Sequence, residues 1–382
     1  MKKENRVKEI AIVGGPGGGK TSLFDYLAKE LPKRKIRGFV VEECATKFIK
    51  GGIPDIAEIA EKDPKKYIEI ERQMLLTHLA DRKNVRNMAD VFGGERGALR
   101  CAIFCDRGGM DVKSYLPGTP ENIFEAILEE ERLTLWDVRD SYDAVIYLRS
   151  AALGAEKYYT TTNNPARQEK NLCDARAMDE RTLRAWIGHP HLKIIESREN
   201  FEEKKKRALQ AILNVIGDPY PVEIERKFLL KSKPNFFSRY FQDGRCAKVT
   251  IEQMYLEDGK RIRRASQNGY NAYCITEKIP IKGLEKKGKK KEIECSISAL
   301  DYIYLSEKRD PRTSIIKKER RYFVWENQYL ELDVFHEPKE LCMLERELID
   351  ENDRVRLPSF LDIAREVTGN KKYSNHNIAR GL

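Results

Sequence analysis

The sequence lacks the features of membrane proteins and of disulfide-stabilised secreted proteins. None of its apolar runs approaches the roughly 20 residues that a membrane-spanning helix needs. Its eight cysteines are scattered, and none lies in a C-x-x-C pair or at the spacing of a zinc site. The basic N-terminal segment runs directly into a predicted strand without a small-residue cleavage site, so we do not expect a signal peptide. We therefore expect a cytoplasmic protein with reduced thiols and no membrane partner.

Positive charge is in moderate excess. The 382 residues include 71 Lys and Arg against 61 Asp and Glu, a net charge of +10. This excess indicates anionic ligands without identifying them, and a solvated basic surface is the alternative interpretation. The densest basic run, residues 284–292 (LEKKGKKKE), is predicted to be an exposed hairpin loop, with polyanion binding as the alternative.

Strand-like and helix-like segments alternate in the first part of the chain. This βαβ rhythm predicts a mainly parallel sheet that is covered by helices on both faces. The strand-like segments are residues 9–15, 36–43, 98–108, 142–150 and 191–197, and a charged helical segment follows the last of them.

The pattern changes near Asp218, where a glycine and two prolines interrupt the helical periodicity. Short alternating segments follow without intervening helices, which predicts an antiparallel sandwich or barrel. We therefore predict two domains, residues 1–218 and 219–382, each long enough to form its own core. The alternating segments are residues 222–230, 248–256, 260–266, 270–278, 291–297, 314–324, 328–335 and 342–349.

A glycine-rich motif follows the first predicted strand. Residues 14–21 (GGPGGGKT) match the pattern G-x-x-x-x-G-K-[ST] between an apolar strand and an amphipathic helix. In this context we expect backbone amide groups to converge on phosphate oxygens, Lys20 to reach the β- and γ-phosphates, and the Thr21 hydroxyl to hold Mg²⁺. A glycine-rich turn that binds nothing is the alternative. The candidate nucleotide-binding residues are Gly14, Gly15, Gly17, Gly18, Gly19, Lys20, Thr21 and Ser22.

Polar residues also follow two other predicted strands of the first domain. Asp106 and Arg107 lie at the carboxyl end of an inner strand, where α/β sheets place their chemistry. Asp106 is a candidate to orient Mg²⁺ through water, and Arg107 is a candidate phosphate contact. Glu42 and Glu43 follow the second strand, and one of them, Glu43 in our assignment, is a candidate general base toward an acceptor hydroxyl. A capping or solvated pair of glutamates is the alternative.

A charged segment, residues 166–186, is a candidate lid over the nucleotide, and an ordinary charged helix is the alternative. Its arginines are Arg167, Arg176, Arg181 and Arg184. His189 and His191 (GHPHL) have no further metal ligand near them in the sequence, so a turn before a strand is the favoured interpretation.

Three stretches of the first domain resemble the small ATPase and nucleoside-kinase-like branch of the P-loop NTPases. They are GGPGGGKTSL at the phosphate loop, ECAT after the second strand, and DRGGMDVKSYL at 106–116. The resemblance covers about residues 7–215 and implies binding of ATP or GTP, with phosphoryl transfer or hydrolysis as the chemistry. The strand at 98–106 lacks the acidic pair that many ATPases use to activate water, which argues against ATP hydrolysis.

Charged residues repeat at positions i and i+2 along the strands predicted for the second domain. In a strand this spacing puts both charges of a pair on one face. A water-facing outer surface is the alternative, but a closed barrel with the charged face inward would form a polar tunnel for a polyanion. The pairs are Glu223 and Glu225, Arg261 and Arg263, Glu292 and Glu294, Lys318 and Arg320, Glu331 and Asp333, and Glu345 and Glu347.

These segments, in this order, resemble the CYTH domain of the triphosphate tunnel metalloenzymes. EIERKF at 223–228 is similar to the E-x-E-x-K signature, and the resemblance extends to REVTGNKKYSN at 365–375. It implies an eight-stranded antiparallel barrel that binds a linear triphosphate with Mg²⁺ or Mn²⁺. It implies metal ligation by Glu223, Glu225, Glu345 and Glu347, with Asp333 as a weaker candidate. It also implies phosphate contacts from Lys227, Arg261, Arg263, Lys278, Lys318 and Arg320, with Glu292 and Glu294 positioning the water or a second metal.

The two resemblances together predict a two-domain enzyme in which a nucleotide-binding domain precedes a metal-dependent triphosphatase. A nucleotide-switched sensor of triphosphate or polyphosphate and an adenylate cyclase are the alternatives. The candidate substrates are inorganic tripolyphosphate and organic triphosphates, and RNA 5′-triphosphate ends are the least favoured. The sequence does not indicate the oligomeric state.

Overall fold

The structure, a computed structural model, describes residues 7–93, 100–159, 171–197, 200–218, 222–236, 239–242, 244–280 and 289–381. The chain forms two compact units, Met1–Ile212 and Leu213–Leu382. The domain boundary that we placed near Asp218 stays a prediction. Among the described residues, no helix has the length and hydrophobicity needed to cross a membrane. The cytoplasmic location stays a prediction as well.

The first unit contains a five-stranded sheet in which all neighbouring strands are parallel. The strand order is β2-β3-β1-β4-β5. The central strands are buried on both faces, which explains why their sequences are continuous apolar runs rather than alternating ones. The strands are β1 (Lys8–Gly14), β2 (Ile36–Val41), β3 (Arg100–Asp106), β4 (Ala144–Leu148) and β5 (Leu192–Ile195).

Helices connect these strands, as the alternating sequence pattern predicts. Because the strands are parallel, their carboxyl ends meet at one edge of the sheet, and the loop after β1 lies there between its neighbours β3 and β4. The helices are α1 (Lys20–Lys33), α2 (Cys44–Lys50), α3 (Ile56–Lys62), α4 (Pro64–Gly93), α5 (Asp111–Tyr115), α6 (Pro120–Glu130), α7 (Leu172–Trp186) and α8 (Phe201–Ile216).

The second unit is an antiparallel barrel. The strand order is β10-β9-β8-β7-β11-β12-β13-β6, and a further pairing between β10 and β6 closes the ring of eight strands. A short ninth strand, β14, pairs with the far end of β6. The strands are β6 (Val222–Leu230), β7 (Cys246–Tyr255), β8 (Arg261–Gln267), β9 (Tyr270–Pro280), β10 (Lys289–Ser296), β11 (Ile316–Trp325), β12 (Gln328–Glu337), β13 (Leu341–Glu347) and β14 (Ile363–Glu366). The predicted fold class is confirmed. Of the two predicted architectures, sandwich and barrel, the second unit forms the barrel.

Apolar side chains on the outer face of the barrel are covered by segments of the same unit. Ile262 and Met254 pack under Tyr302 of helix α9 (Ala299–Ser306). On other strands, Phe228 and Leu344 belong to a buried cluster that Phe241 of a short 3-10 helix (Arg239–Phe241) and Leu361 complete. This cover removes the apolar outer faces from water, so the charged faces of the strands are left for the interior.

One end of the barrel interior is apolar and closed. Tyr255, Phe335 and Met343 from three strands pack against Ile378 and Ala379 of the short helix α10 (Asn375–Ala379). The charged part of the interior therefore forms a pocket with one apolar end rather than a channel open at both ends.

Candidate functional site

The glycine-rich loop between β1 and α1 has the backbone conformation that its glycines permit. Gly17 and Gly19 have φ angles of 66° and 90°, values that a residue with a side chain adopts only under strain. The Gly18 amide donates to the Gly15 carbonyl oxygen at 3.0 Å, which tightens the loop. Helix α1 begins at Lys20, so its N-terminal amide groups and positive dipole end face the loop. Thr21 and Ser22 lie exposed in the first turn, accessible to a ligand.

The buried carboxylate of Asp179 stabilises this loop through hydrogen bonds to backbone amides. Asp179 Oδ1 accepts hydrogen bonds from the Gly15 amide at 3.2 Å and from the Ser150 amide at 2.8 Å. Its other oxygen lies 2.9 Å from the guanidinium of Arg149. A Cβ atom at Gly15 would lie 2.5 Å from the Cβ atom of Asp179, so only glycine fits there. Sequence reasoning missed Asp179, because nothing in its local pattern distinguishes it from the other charges of α7.

A buried lysine completes the support of the loop. Lys204 Nζ donates to the Gly18 carbonyl oxygen at 2.8 Å and to the Arg149 carbonyl oxygen at 2.6 Å. Burial lowers the pKa of Lys204 to about 8, and the Asp179 charge opposes this shift. Lys204 was also missed, because it lies in a run of three lysines whose other members belong to a charged helix surface.

The predicted polar residues of the first domain come together beside Lys20. Arg107 has a left-handed backbone (φ 74°) and donates from Nε to Glu43, whose second oxygen accepts from Thr46 at 3.1 Å. The Arg107 and Lys20 charges lower the pKa of Glu43 to about 2 against the opposing effect of burial. Burial raises the pKa of Asp106, whose Oδ1 has no hydrogen-bond partner among the described residues. Glu42, the other glutamate of the predicted pair, is exposed.

The arginine-rich segment is a packed helix over its described part, residues 171–186. Arg176 donates to the Ala152 carbonyl oxygen at 2.7 Å and pairs with Glu156 at 3.1 Å. Trp186 and Asp179 of this helix are fully buried. These contacts agree with the ordinary-helix alternative, while Arg167 lies outside the described residues. His189 is buried and contacts the Tyr142 carbonyl oxygen at 3.2 Å, as expected of a structural turn.

In the second unit, the strand register puts the predicted charged residues on one face. Glu345 lies opposite Lys227, and Glu347 lies opposite Glu225 across the β13–β6 pair. On the other wall, Glu292 lies opposite Lys278. The same face continues through Arg320 opposite Asp333, and Arg263 opposite Gln253.

Contacts between strands that are not neighbours show that this common face is the inner one. Lys278 of β9 contacts Glu223 of β6 at 2.7 Å across the intervening β10. Arg320 of β11 likewise contacts Glu345 of β13 at 3.0 Å across β12. Side chains that reach over a strand in this way must lie on the concave side of a closed sheet.

Each inner cation lies against carboxylates, and two clusters result. In the first, Lys227 contacts Glu225 at 3.2 Å and Glu345 at 2.6 Å. Arg320 donates two hydrogen bonds to Asp333, at 2.6 and 2.7 Å, and Lys318 Nζ lies 2.5 Å from the same carboxylate. In the second, Lys278 and Arg261 both lie 3.3 Å from Glu292, and Arg263 lies 3.1 Å from Glu294.

Positively and negatively charged side chains are buried together in the barrel interior, and this shifts their pKa values. Neighbouring carboxylates raise the pKa values of Lys227 and Lys278, although burial acts against both shifts. Burial lowers the pKa of Lys318 to about 8, and the positive charge of Arg320 adds to this shift, while the carboxylates of Asp333 and Glu345 oppose it. Lys318 is therefore the cation with the least compensation in this cluster.

Two inner residues received no role in the sequence analysis. Burial and, to a smaller extent, the carboxylates of Glu345, Asp333 and Glu347 raise the pKa of Glu331 to about 7 against the opposing charge of Arg320. Thr276 donates to Glu294 at 2.8 Å and accepts from Arg261 at 3.1 Å. The period of two along their strands already puts both residues on the charged face, and this signal could have found them.

The inner carboxylates have the donor chemistry that Mg²⁺ and Mn²⁺ require, since they offer only hard oxygen ligands. Burial is the largest cause of the raised pKa of Glu331, and the neighbouring carboxylates add a repulsion that a divalent cation would relieve. Over the described part of the chain, no three His, Cys, Asp or Glu residues are arranged as a metal-binding group. Asp333, the weaker predicted ligand, is fully buried and held by Lys318 and Arg320. Of the predicted basic loop, residues 284–292, only residues 289–292 are described, at the start of β10.

A phosphate loop at the carboxyl edge of a parallel sheet defines a nucleotide-binding domain of the P-loop type. Residues 9–204 match the family model of the AAA domain, and the chain belongs to this family. No curated protein matches the chain.

Many solved structures are similar to part of the chain, among them the following three. Two are of the protein NE1496, described once as a hypothetical protein and once as an inorganic triphosphatase. The first is 28% identical, with 41% of this chain and 97% of that chain covered and a TM-score of 0.28. The second is 25% identical, with 42% and 95% covered and a TM-score of 0.27. The third is the PH1819 protein from Pyrococcus horikoshii OT3, 22% identical, with 34% and 80% covered and a TM-score of 0.27.

Proposed function

We propose that the protein is a two-domain enzyme that joins a nucleotide-binding domain to a metal-dependent triphosphatase. Residues 1–218 bind ATP or GTP at the phosphate loop. Residues 219–382 hydrolyse a phosphoanhydride bond of inorganic tripolyphosphate or of an organic triphosphate. The observation that carries this proposal is the closed ring of eight strands whose register assembles cations and carboxylates on a single inner face.

The inner cations bind the phosphate chain. Arg261 and Arg263 each have an Nε atom without a hydrogen-bond partner among the described residues, so both can donate to a new acceptor. Lys318 has a lowered pKa because burial disfavours its charge, and an added anion stabilises that charge. Guanidinium groups suit phosphate oxygens in particular, since they donate two parallel hydrogen bonds.

The inner carboxylates bind the metal and orient the attacking water. In the bound state the inner lysines and arginines pair with phosphate oxygens instead of carboxylates. Four carboxylates would then be available as metal ligands, those of Glu223, Glu225, Glu345 and Glu347. A bound Mg²⁺ or Mn²⁺ neutralises phosphate charge and makes the phosphorus more electrophilic. Glu292 and Glu294 face the same lumen from β10 and orient the attacking water. Lys227, Lys278 and Arg320 stabilise the charge on the leaving phosphate.

The number of carboxylates favours an enzyme over a sensor. A protein that only binds triphosphate gains nothing from acids that compete with the ligand for its lysines and arginines. A metal-dependent hydrolase needs both sets of groups, because the metal and the phosphates occupy the same lumen. A nucleotide-switched sensor and an adenylate cyclase stay the alternatives.

The test is a phosphate-release assay on the full chain with Mg²⁺ or Mn²⁺. The substrates are tripolyphosphate, thiamine triphosphate, ATP, GTP and an RNA 5′-triphosphate. The variants are Lys20→Ala in the phosphate loop and Glu225→Gln in the barrel. Glu319→Gln is the matched control, because Glu319 lies on β11 between Lys318 and Arg320 but pairs outside the barrel with Lys248.

We expect Glu225→Gln to abolish tripolyphosphate cleavage, while Lys20→Ala and Glu319→Gln leave it intact. Loss of cleavage in Lys20→Ala alone would assign the activity to the first domain and refute the proposal. Binding of tripolyphosphate without any turnover, with either metal, would favour the sensor. Formation of cyclic AMP from ATP would favour the cyclase.

A further inference from the structure

One edge of the parallel sheet in the first unit is uncovered. The strand order puts β2 at one end of the sheet and β5 at the other, so each has a neighbouring strand on one side only. All four residues of β5 are buried. In β2, by contrast, Arg37, Gly38 and Val40 are exposed, and only the first and last residues of the strand are buried. The backbone amide and carbonyl groups on the outer side of β2 therefore have no strand partner among the described residues.

The outer edge of β2 is poorly protected against pairing with another strand. Proteins commonly block such an edge with a proline, a β-bulge, a charged side chain or a very short strand. β2 is six residues long, contains no proline, and pairs with β3 in an unbroken register from Ile36 to Val41. Its one charged residue, Arg37, holds its guanidinium over the Phe92 ring, 4.3 Å from the ring centroid. An edge of this kind is suited to accept a further strand through backbone hydrogen bonds.

Exposed apolar side chains border this edge. Met88, Val91 and Phe92 of α4 are at positions i, i+3 and i+4, so they share one face of that helix. The Phe92 ring contacts the ring of Phe39 in β2, with 5.7 Å between the two centroids, which places this face beside the strand. The exposed fractions of Met88, Val91 and Phe92 are 52%, 72% and 41%, and that of Val40 is 48%. Apolar surface grouped in this way is typical of an interface.

The charges at the two ends of β2 are complementary in an antiparallel pair of copies. Lys35 directly precedes the strand and Glu42 directly follows it, and both are exposed. Within the described part of the chain, neither of them makes an ion pair. A two-fold axis through the strand centre places the beginning of one β2 beside the end of the other. Each Lys35 then lies next to the Glu42 of the partner subunit, so the pair of copies gains two contacts between opposite charges.

We propose that the protein forms a homodimer through antiparallel pairing of β2 with β2 of a second copy. The two five-stranded sheets then form one continuous sheet. The backbone groups on the outer side of both strands gain hydrogen-bond partners, and the exposed side chain of Val40 and the apolar face of α4 leave water. A second copy is favoured over an unrelated strand, because the charges at the two ends of β2 make this edge complementary to itself.

The proposed interface borders the candidate nucleotide site without including it. Glu43 follows Glu42 directly in the sequence and pairs with Arg107, and the charge of Lys20 acts on its carboxylate. Pairing of β2 therefore holds in place the strand whose end presents Glu43 to this site. The dimer depends neither on nucleotide binding nor on triphosphate cleavage, so its test is independent of the function proposed above.

The dimer is tested by sedimentation velocity of the full chain between about 1 and 100 μM, the range in which weak dimers dissociate. Amide hydrogen exchange of the peptide that contains β2 is measured at both ends of this range. Hydrogen bonds between the two outer edges slow the exchange of β2 amides at the higher concentration, which locates the interface on this strand.

Four variants test the apolar and the charged parts of the interface separately. Val40→Lys puts a charge beside the edge, and Leu300→Lys is its matched control, because Leu300 is 78% exposed on α9 of the second unit. Lys35→Glu and Glu42→Lys each bring like charges together at both contacts of their own homodimer. In an equal mixture of these two variants, the heterodimer has opposite charges at both contacts again, because each changed residue meets the changed residue of the other chain. Recovery in the mixture also shows that both variants are folded.

We expect the wild type to dimerise and the exchange of β2 amides to slow as the concentration rises. Val40→Lys, Lys35→Glu and Glu42→Lys should each raise the dimer Kd at least about tenfold, since buried or like charges across an interface are strongly unfavourable. The mixture and Leu300→Lys should dimerise as the wild type does. A wild type that stays monomeric at about 100 μM overturns the inference, since even a weak dimer forms there. So does a dimer that Leu300→Lys dissociates and Val40→Lys does not, or one whose β2 amides exchange at the same rate at every concentration.

Discussion

Asp179 is the residue on which the shape of the phosphate loop depends most directly. Its carboxylate is fully buried and accepts hydrogen bonds from two backbone amides, those of Gly15 and Ser150. Asp179→Ala leaves both amides buried without an acceptor, and each such loss costs about 1–3 kcal/mol. Arg149 loses one partner but keeps Glu180. We therefore expect a loss of about 2–6 kcal/mol in the free energy of unfolding of the first unit.

The assay is calorimetric unfolding of the full chain, with nucleotide affinity measured in parallel. For a domain of this size each kcal/mol corresponds to about 2–4 °C in Tm, so the first unit should melt many degrees lower. Nucleotide binding should weaken at least about tenfold. A tenfold loss of affinity corresponds to only about 1.4 kcal/mol of binding free energy, which disorder of the loop in the free protein would cost. Asp179→Asn should cost less than Asp179→Ala, since its amide oxygen can still accept from both backbone groups.

The matched control is Asp174→Ala in the first turn of the same helix. Asp174 is exposed, and its carboxylate accepts from the Asn171 side chain at 3.0 Å. We expect this change to cost no more than about 1 kcal/mol, as for most surface interactions. Equal melting and equal nucleotide affinity in Asp179→Ala and Asp174→Ala would refute the assignment of Asp179 as the support of the loop.

Two further predictions concern buried charges. Lys318→Met should reduce tripolyphosphate cleavage at least about tenfold. It should cost little stability, because Asp333 keeps both hydrogen bonds from Arg320. Lys317→Met, a change of the exposed neighbouring residue, is the control and should alter neither turnover nor Tm. In the first unit, the folded-state pKa of Glu71 is raised from 4.5 to about 7 by burial, so the folded state binds the proton more tightly and stability falls as the pH rises through this window. Glu71→Gln should remove this fall and leave the variant more stable than the wild type by about 3 kcal/mol above pH 7. The free energy of unfolding, measured by denaturant unfolding from pH 4 to 8, checks this prediction. Identical pH dependence of that free energy in the two proteins would contradict it.

Several features of this protein depend only on residues that are neighbours along the chain. The glycine spacing at 14–19 predicts a phosphate loop, because each φ angle is a property of one residue and the helix follows immediately. The i and i+2 charges, such as Glu345 and Glu347, predict one charged face, because the period of a strand is always two. Both patterns specify local conformation without reference to distant residues.

Contacts between residues that are far apart in the sequence are set by the tertiary fold. Asp179 reaches Gly15 across 164 positions of sequence, and Lys204 reaches Gly18 across 186. No local pattern encodes such a pairing, since it follows from the order of strands in the sheet. Closure of the barrel likewise depends on the pairing of β10 with β6. An alternating strand is compatible with an outer or an inner charged face, and the choice is made when the apolar faces are buried under α9 and the C-terminal segments.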